Sequence, residues 1–156
     1  MVRVTGSFYR TPLFKFLQKG KGVTSITGEK LYEAQVLRAV GCAMDEIGNA
    51  PRFIMMLAEE KEARYRLYVE TDAAAKPDAI RLAQMVDDKL RQLNIEYAAK
   101  RESERLGAIH ATWLRPETSE AYRQFCVEHG QREGQFKMVA LAYRKEFLFD
   151  LDAFGE

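Results

Sequence analysis

Two lysines occupy positions where the sequence could present a positive charge to a ligand. Lys137 follows a polar segment that carries Gly130 and Gly134, and it comes directly after Phe136. Lys30 ends the run Ser-Ile-Thr-Gly-Glu-Lys, between a predicted strand and a predicted helix. Such junctions are common ligand sites, because backbone donors and a side chain converge there. A solvated surface lysine is the alternative interpretation at both positions.

Other catalytic signatures are missing from the sequence. It has neither a phosphate-binding loop followed by Lys-Ser or Lys-Thr nor the glycine fingerprint of a dinucleotide site. The two histidines are His110, in a predicted strand, and His129, which precedes Gly130 at a predicted helix end. A positive charge at that helix end would be favourable. We expect no metal site, because the usual ligands are too few to assemble one.

The composition is that of a soluble globular protein. Of 156 residues, 47% are apolar and 30% are charged, and the formal net charge is +1. A near-neutral chain of this kind predicts neither nucleic acid nor a membrane surface as a partner. No signal peptide or apolar run of about 20 residues is present, so a cytoplasmic location is the expectation. Cys42 and Cys126 lie among apolar residues and are expected to be buried free thiols.

Hydrophobic periodicity predicts the elements that would position the two lysines. One helix is expected over 29–47, with Glu33, Leu37, Val40, Met44 and Ile47 on one stripe. Further helices are expected from Lys76, over 96–105, and from Thr118 or Ser119 to Gly130. The charged run 59–62 predicts an exposed hairpin tip. Strands are predicted at 1–6, 23–27, 53–57, 64–70, 108–114 and 139–143.

This order of strands and helices predicts an α+β fold with a mixed β-sheet and helices packed on it. No linker or internal repeat divides the chain, so residues 1–156 are expected to form a single domain.

Two stretches resemble a known family. The run Thr-Gly-Ser-Phe-Tyr-Arg-Thr-Pro-Leu-Phe-Lys-Phe at 5–16 leads into Val-Thr-Ser-Ile-Thr-Gly-Glu-Lys at 23–30. This is similar to the Pro-x-x-x-Phe strand and following Ser-Ile-x-x-Asp/Glu-Lys of the auxin-responsive acyl-acid amido synthetases, in their small C-terminal domain. The stretch from Gly130 to Lys137 is similar to the Gly…Gln-Tyr-Lys near the end of that family's domain.

The resemblance implies an adenylate-forming ligase that uses ATP and Mg²⁺. Such an enzyme activates a carboxylic acid as an acyl-adenylate and passes the acyl group to an amine or amino acid. Its C-terminal domain is a mobile lid over a large N-terminal nucleotide- and acyl-binding domain, which is absent from this chain and would be its partner. By the same resemblance, Lys30 contacts the nucleotide and Lys137 is catalytic. The isolated domain is then expected to hold no cofactor and to be inactive.

The sequence departs from the family pattern at several positions. Phe136 replaces the family's tyrosine, and residues 138–140 lack the proline and arginine that often follow the lysine. The family's hinge aspartate would precede Met1. A stand-alone, non-catalytic binding or interaction module with the same fold is therefore the alternative. The acyl acid, the amine and the oligomeric state are not encoded in a recognisable form.

Overall fold

The computed structural model describes residues 22–130 and 138–156 with their side chains, and 2–8 and 11–16 as backbone strands. In chain order the elements are β1 (Val2–Phe8), β2 (Thr11–Phe16), β3 (Val23–Thr24), β4 (Leu31–Tyr32), α1 (Glu33–Ile47), β5 (Pro51–Glu59), β6 (Arg64–Thr71), α2 (Ala79–Leu93), α3 (Ile95–Glu102), β7 (His110–Leu114), α4 (Thr118–Glu128) and β8 (Leu141–Tyr143). Single 3-10 turns follow at Arg144–Glu146 and Asp152–Phe154.

A four-stranded mixed sheet in the order β7-β6-β5-β8 forms the centre. The hairpin of β5 and β6 is antiparallel, with Met55 opposite Tyr68. The outer strands both run parallel to their neighbours: β7 beside β6, and β8 beside β5. Two small antiparallel pairs, β1-β2 and β3-β4, lie outside this sheet. The predicted α+β class with a mixed sheet is confirmed.

Helices α1 and α2 cover one face of the sheet. Their buried side chains include Val40, Met44, Val86 and Leu90, and they form one core cluster with sheet residues such as Leu67. This face of the core holds α3 as well, through buried Tyr97. Burial of several fully enclosed apolar side chains, each worth about 1.5–3 kcal/mol, attaches these helices to the sheet.

The opposite face is covered by α4 and the C-terminal segment. Phe53, Met55, Leu57 and Tyr68 of the central hairpin pack there against a cluster that includes Phe147, Phe149 and Leu151. Because both faces are buried, β5 reads as an almost continuous apolar run rather than as an alternating one.

Several predicted boundaries and burial assignments were wrong. Helix α1 begins at Glu33 rather than at 29, and only Val23–Thr24 of the predicted strand 23–27 pairs as a strand. Leu37 is 45% exposed, because α1 turns Val36 to the core in its place, whereas Val40 and Met44 of the predicted stripe are buried as expected. Cys42 is exposed, whereas Cys126 is buried as expected.

Two acidic residues of the central hairpin are buried, and for Glu59 this corrects the predicted exposed hairpin tip at 59–62. Glu59 belongs to β5 and pairs with Arg64 and Arg66 on the neighbouring strand. Glu70 is fully enclosed, and its carboxylate accepts hydrogen bonds from the backbone amides of Glu117 at 2.9 Å and Ser119 at 2.7 Å. It therefore caps α4 from strand β6, in place of the Thr118 or Ser119 cap that the sequence predicted.

None of the helices within the described residues is both long and apolar enough to cross a bilayer.

Candidate functional site: the Glu29–Lys30 turn

The turn between β3 and β4 is built on the buried carboxylate of Glu29, which is 1% exposed. Its two oxygens accept the backbone amides of Ile26 at 2.7 Å and Thr27 at 2.8 Å. The Thr27 hydroxyl donates to the same carboxylate at 3.1 Å, and the hydroxyl of Tyr65 donates from β6. One side chain therefore fixes the path of the turn and joins it to the central sheet.

The electrostatics of this anchor follow from its hydrogen bonds. Burial raises the pKa of Glu29, but the hydrogen bonds from Ile26, Tyr65 and Thr27 outweigh burial, and the net pKa is lowered. Burial and the bond to Glu29 raise the pKa of Tyr65 far above its ordinary value. Glu29 is thus an ionised acceptor and Tyr65 a neutral donor, which also lies 3.0 Å from Thr24 Oγ1.

Asn94 holds the turn from the other side. Its Nδ2 donates to the carbonyl oxygens of Glu29 at 3.1 Å and Lys30 at 3.3 Å, and to Gln35 Oε1 at 3.2 Å. Its Oδ1 accepts the amide of Tyr97 at 2.9 Å, so the same residue caps the start of α3. The turn and α3 are therefore fixed to each other through one buried side chain.

Lys30 is exposed at the end of this turn. It lies just before β4 and three residues before α1, not at the helix start that the sequence predicted. Its backbone has φ of 45°, a left-handed conformation that is uncommon for a residue with a side chain. Its ammonium forms no ion pair with any residue in 22–130 or 138–156. As far as the described residues show, the turn thus presents a cation without an ion-pair partner on a rigid base, an arrangement suited to an anionic ligand.

Lys137, the second predicted site residue, lies outside the described residues. The flanking positions are described. Gly130 follows α4 with φ of 92°, and the amide of Ala140 donates to Glu33 Oε1 at 2.6 Å. Tyr143 of β8 accepts the amide of Ser25 at 3.0 Å. The chain after Lys137 is therefore anchored beside the first residue of α1 and the start of the turn.

A second polar cluster surrounds Asp87 of α2. Its carboxylate accepts from the Tyr97 hydroxyl at 2.5 Å, from Arg101 at 2.8 Å and from Arg91 at 2.8 Å. Burial raises the pKa of Asp87, but these donors outweigh burial and lower it. Since its partners come from α2 and α3, we interpret this cluster as a joint between the helices. Asp87 and Arg101 also line an open groove of about 530 Å³ between α2 and β7.

The histidines stand apart from the turn. His129 places Nδ1 2.8 Å from the carbonyl oxygen of Phe125, at the end of α4 as the sequence predicted. His110 is exposed on the groove, and burial together with Arg64 and Arg66 lowers its pKa. Among the described residues, no three His, Cys, Asp or Glu side chains come close enough to hold a metal ion.

Sequence reasoning located Lys30 but not the residues that support its turn. Asn94 carries a detectable signal, because an asparagine between two helical stripes is a typical N-cap. The pairing of Glu29 with Tyr65 has no local signal, since the two residues are 36 positions apart.

Comparison with known proteins adds the family. The model described as "GH3 family C-terminal domain" matches residues 34–146, which is most of the chain. This stretch includes Lys137, whereas Lys30 lies four residues before it. No curated protein sequence matches.

Two solved structures share the fold. The "GH3.15 acyl acid amido synthetase" is 21% identical with a TM-score of 0.74. The "AtGH3.15 acyl acid amido synthetase in complex with 2,4-DB" is 19% identical with a TM-score of 0.73. Each comparison covers 99% of this chain but only 30% and 29% of the respective structure. The resemblance drawn from residues 5–30 and 130–137 is thus confirmed, and the chain belongs to the GH3 family as a C-terminal domain of that family.

Proposed function

We propose that this chain is the lid of an ATP-dependent acyl-acid amido synthetase. The observation that carries the proposal is the fixed Glu29–Lys30 turn in a domain of the GH3 family, since the Lys30 cation has no ion-pair partner among the residues that the structure describes. The fold that it shares with two acyl acid amido synthetases supports the same reaction class.

The proposed reaction has two steps. A carboxylate oxygen of the acid attacks the α-phosphorus of ATP, the bond from phosphorus to the pyrophosphate oxygen breaks, and pyrophosphate leaves. The nitrogen of an amine or amino acid then attacks the acyl carbon, the bond to the AMP oxygen breaks, and AMP leaves while the amine proton passes to solvent. The first step brings two anions together, and a positioned cation lowers its barrier.

The two lysines have separate proposed roles. Lys30 contacts the nucleotide from the fixed turn and contributes to binding in every state. Lys137 approaches the reacting phosphate when the lid closes, and offsets charge that develops on the phosphoryl oxygens. An interaction made only in the transition state changes turnover, whereas one made throughout changes affinity.

The rest of the site is assigned to an N-terminal domain. Mg²⁺ would neutralise phosphate charge in the complete enzyme, but the described residues offer no cluster of ligands for it. We therefore propose that ATP and Mg²⁺ are held mainly by that partner domain, together with the acid and the amine. The 156-residue chain alone should then catalyse no ATP–pyrophosphate exchange, since isolated cations cannot pre-organise a nucleotide.

The test uses the enzyme in which this domain is joined to its N-terminal domain. We expect Lys137→Ala to slow adenylation by about a hundredfold or more, the scale for losing one positioned charge donor. Lys30→Ala should raise the KM for ATP more than it lowers kcat. Both variants are assayed by pyrophosphate exchange against ATP concentration, with Arg81→Ala as a control because Arg81 is an exposed, unpaired cation among the described residues.

Each result bears on the proposal. If Lys137→Ala keeps the wild-type turnover, Lys137 has no catalytic role and is an ordinary surface lysine. Robust exchange by the 156-residue chain alone would refute the lid assignment. A joined protein with no exchange for any acid would favour the alternative of a non-catalytic binding module.

A further inference from the structure

A second lysine lies against the Glu29–Lys30 turn. Lys100 is on α3, and its side chain lies close to Gly28, an exposed residue of the turn. A methyl group built on the Gly28 Cα would lie 3.6 Å from Lys100 Cε and 3.9 Å from its Nζ. The end of the side chain, and not only its stem, is therefore at the turn.

Lys100 does not use the partner that its own helix offers. Glu96 lies four positions earlier on α3, the spacing at which Glu and Lys commonly pair on a helix surface. No ion pair joins Lys100 to Glu96 or to any other acidic residue in 22–130 or 138–156. The adjacent Arg101 is committed to Asp87. Within the described part of the chain, the ammonium of Lys100 therefore has no ion-pair partner, and it lies close to Gly28.

The nearest buried anion does not supply that counter-charge. The carboxylate of Glu29 lies beneath the turn and already accepts two backbone amides and two hydroxyls. In the residues that the structure describes, Lys100 forms no ion pair with this carboxylate. Gly28 has φ of 105°, a conformation that a residue with a side chain rarely adopts. Glycine here allows the backbone path of the turn, and the Lys100 side chain lies in ordinary van der Waals contact range of this position.

The relative position of the two lysines is fixed by the scaffold. Asn94 donates to the carbonyl oxygens of Glu29 and Lys30 and at the same time caps the helix that carries Lys100. Two cations without ion-pair partners among the described residues are therefore attached to one unit: Lys30 follows Gly28 by two residues, and the Lys100 side chain lies against Gly28. Cations without counter-ions on one scaffold favour the binding of an anion that can contact both.

We infer that Lys100 is a second anion-binding residue, and that with the Gly28–Lys30 turn it forms a subsite for a phosphate-type anion. The inference rests on the proposed function, because the phosphate groups of ATP or the pyrophosphate leaving group are the anions that such an enzyme would bring to its lid. In that setting Lys100 assists binding of the phosphate chain, while Lys137 keeps the catalytic role.

The experiment measures anion binding by the 156-residue chain itself. Inorganic pyrophosphate, ATP and AMP are titrated separately while the backbone amide signals of Gly28 and Lys30 are followed by NMR at low salt. We expect pyrophosphate and ATP to shift both signals, and AMP to shift them less because it carries fewer charges. Lys100→Gln should weaken pyrophosphate binding by about fivefold, the upper range for one exposed charge contact.

Matched variants separate a subsite from general attraction. Lys100→Arg should retain binding, and Arg81→Gln, which removes one charge near the start of α2, should change affinity by less than about twofold. Equal losses in Lys100→Gln and Arg81→Gln, or no shift of the Gly28 signal with wild-type protein, would overturn the inference. If Lys30→Ala loses pyrophosphate binding and Lys100→Gln does not, the role of Lys100 is overturned and the proposed function stands. If the joined enzyme shows no adenylation, the proposed function fails, whatever the isolated chain binds.

Discussion

Replacing Glu29 by glutamine tests whether the turn is fixed as described. The substitution keeps the shape of the side chain and replaces one carboxylate oxygen by an amide NH₂ group. The carboxylate oxygens accept separately from Ile26 at 2.7 Å and Thr27 at 2.8 Å. A glutamine can satisfy only one of these backbone amides, and the other would face a hydrogen-bond donor.

The expected cost follows from the bonds that are lost. A net hydrogen bond to a charged group contributes about 1.5–3 kcal/mol, and a buried donor left without a partner costs about 1–3 kcal/mol. Tyr65 can still donate to the remaining oxygen, so only part of the cluster is disrupted. We therefore expect Glu29→Gln to lower the free energy of unfolding by about 2–4 kcal/mol, out of a typical total of about 5–15 kcal/mol for a domain.

Urea unfolding at pH 7, followed by circular dichroism, measures this loss. The matched control is Glu62→Gln, an exposed position at the hairpin tip, where a change within about 0.5 kcal/mol is expected. If both variants unfold at the same urea concentration as the wild-type chain, Glu29 does not anchor the turn and the rigid base under Lys30 is refuted.

Three further predictions concern the contacts around the site. Asn94→Ala removes the α3 cap and the bonds to the turn, and should cost about 2–3 kcal/mol in the same unfolding assay; a loss below about 0.5 kcal/mol would contradict the role of Asn94 in joining the turn to α3. Glu70→Ala leaves the first amides of α4 unpaired and should cost about 2–4 kcal/mol, with faster amide exchange in α4 than elsewhere; unchanged exchange there would disprove the cap. The lowered pKa values of Glu29 and Asp87 contribute stability that is present above their unfolded-state values near 4 and is lost as the pH falls through their folded-state values. Unfolding measured from pH 7 to pH 3 should therefore show declining stability below about pH 4, with a shallower decline in Asp87→Asn.

The periodic elements could be predicted because their apolar residues report the core directly. The hairpin, α2 and β7 were located from alternating or 3.6-residue patterns, and the α+β class follows from their order. Helix α1 shows the limit of the method. Two overlapping stripes exist on it, one through Leu37 and one through Val36, and only packing against α2 and the sheet determines which is buried.

The buried acids could not be predicted, because their partners are distant in sequence. Glu70 accepts from amides 47 and 49 positions later, and Glu29 accepts from Tyr65 36 positions later. When its partners cannot be identified from the sequence, a carboxylate is predicted to face solvent, since burying an unpaired charge is costly. Lys30 was proposed from its position between a predicted strand and a predicted helix and from its motif, whereas Lys100 has no such local signal.

The pairing of β8 with β5 has a consequence for synthesis of the chain. Met56 of β5 pairs with Leu141 of β8, so β5, an almost continuous apolar strand, can complete its pairing only after a segment 85 residues later in the chain has been synthesised. Until that partner leaves the ribosome, β5 has an open edge with unpaired backbone groups, and such edges recruit other chains. At about 5–20 residues per second, this interval lasts several seconds or longer. Aggregation during expression should therefore depend on translation speed and on chaperone access to nascent β5, even when the finished domain is stable.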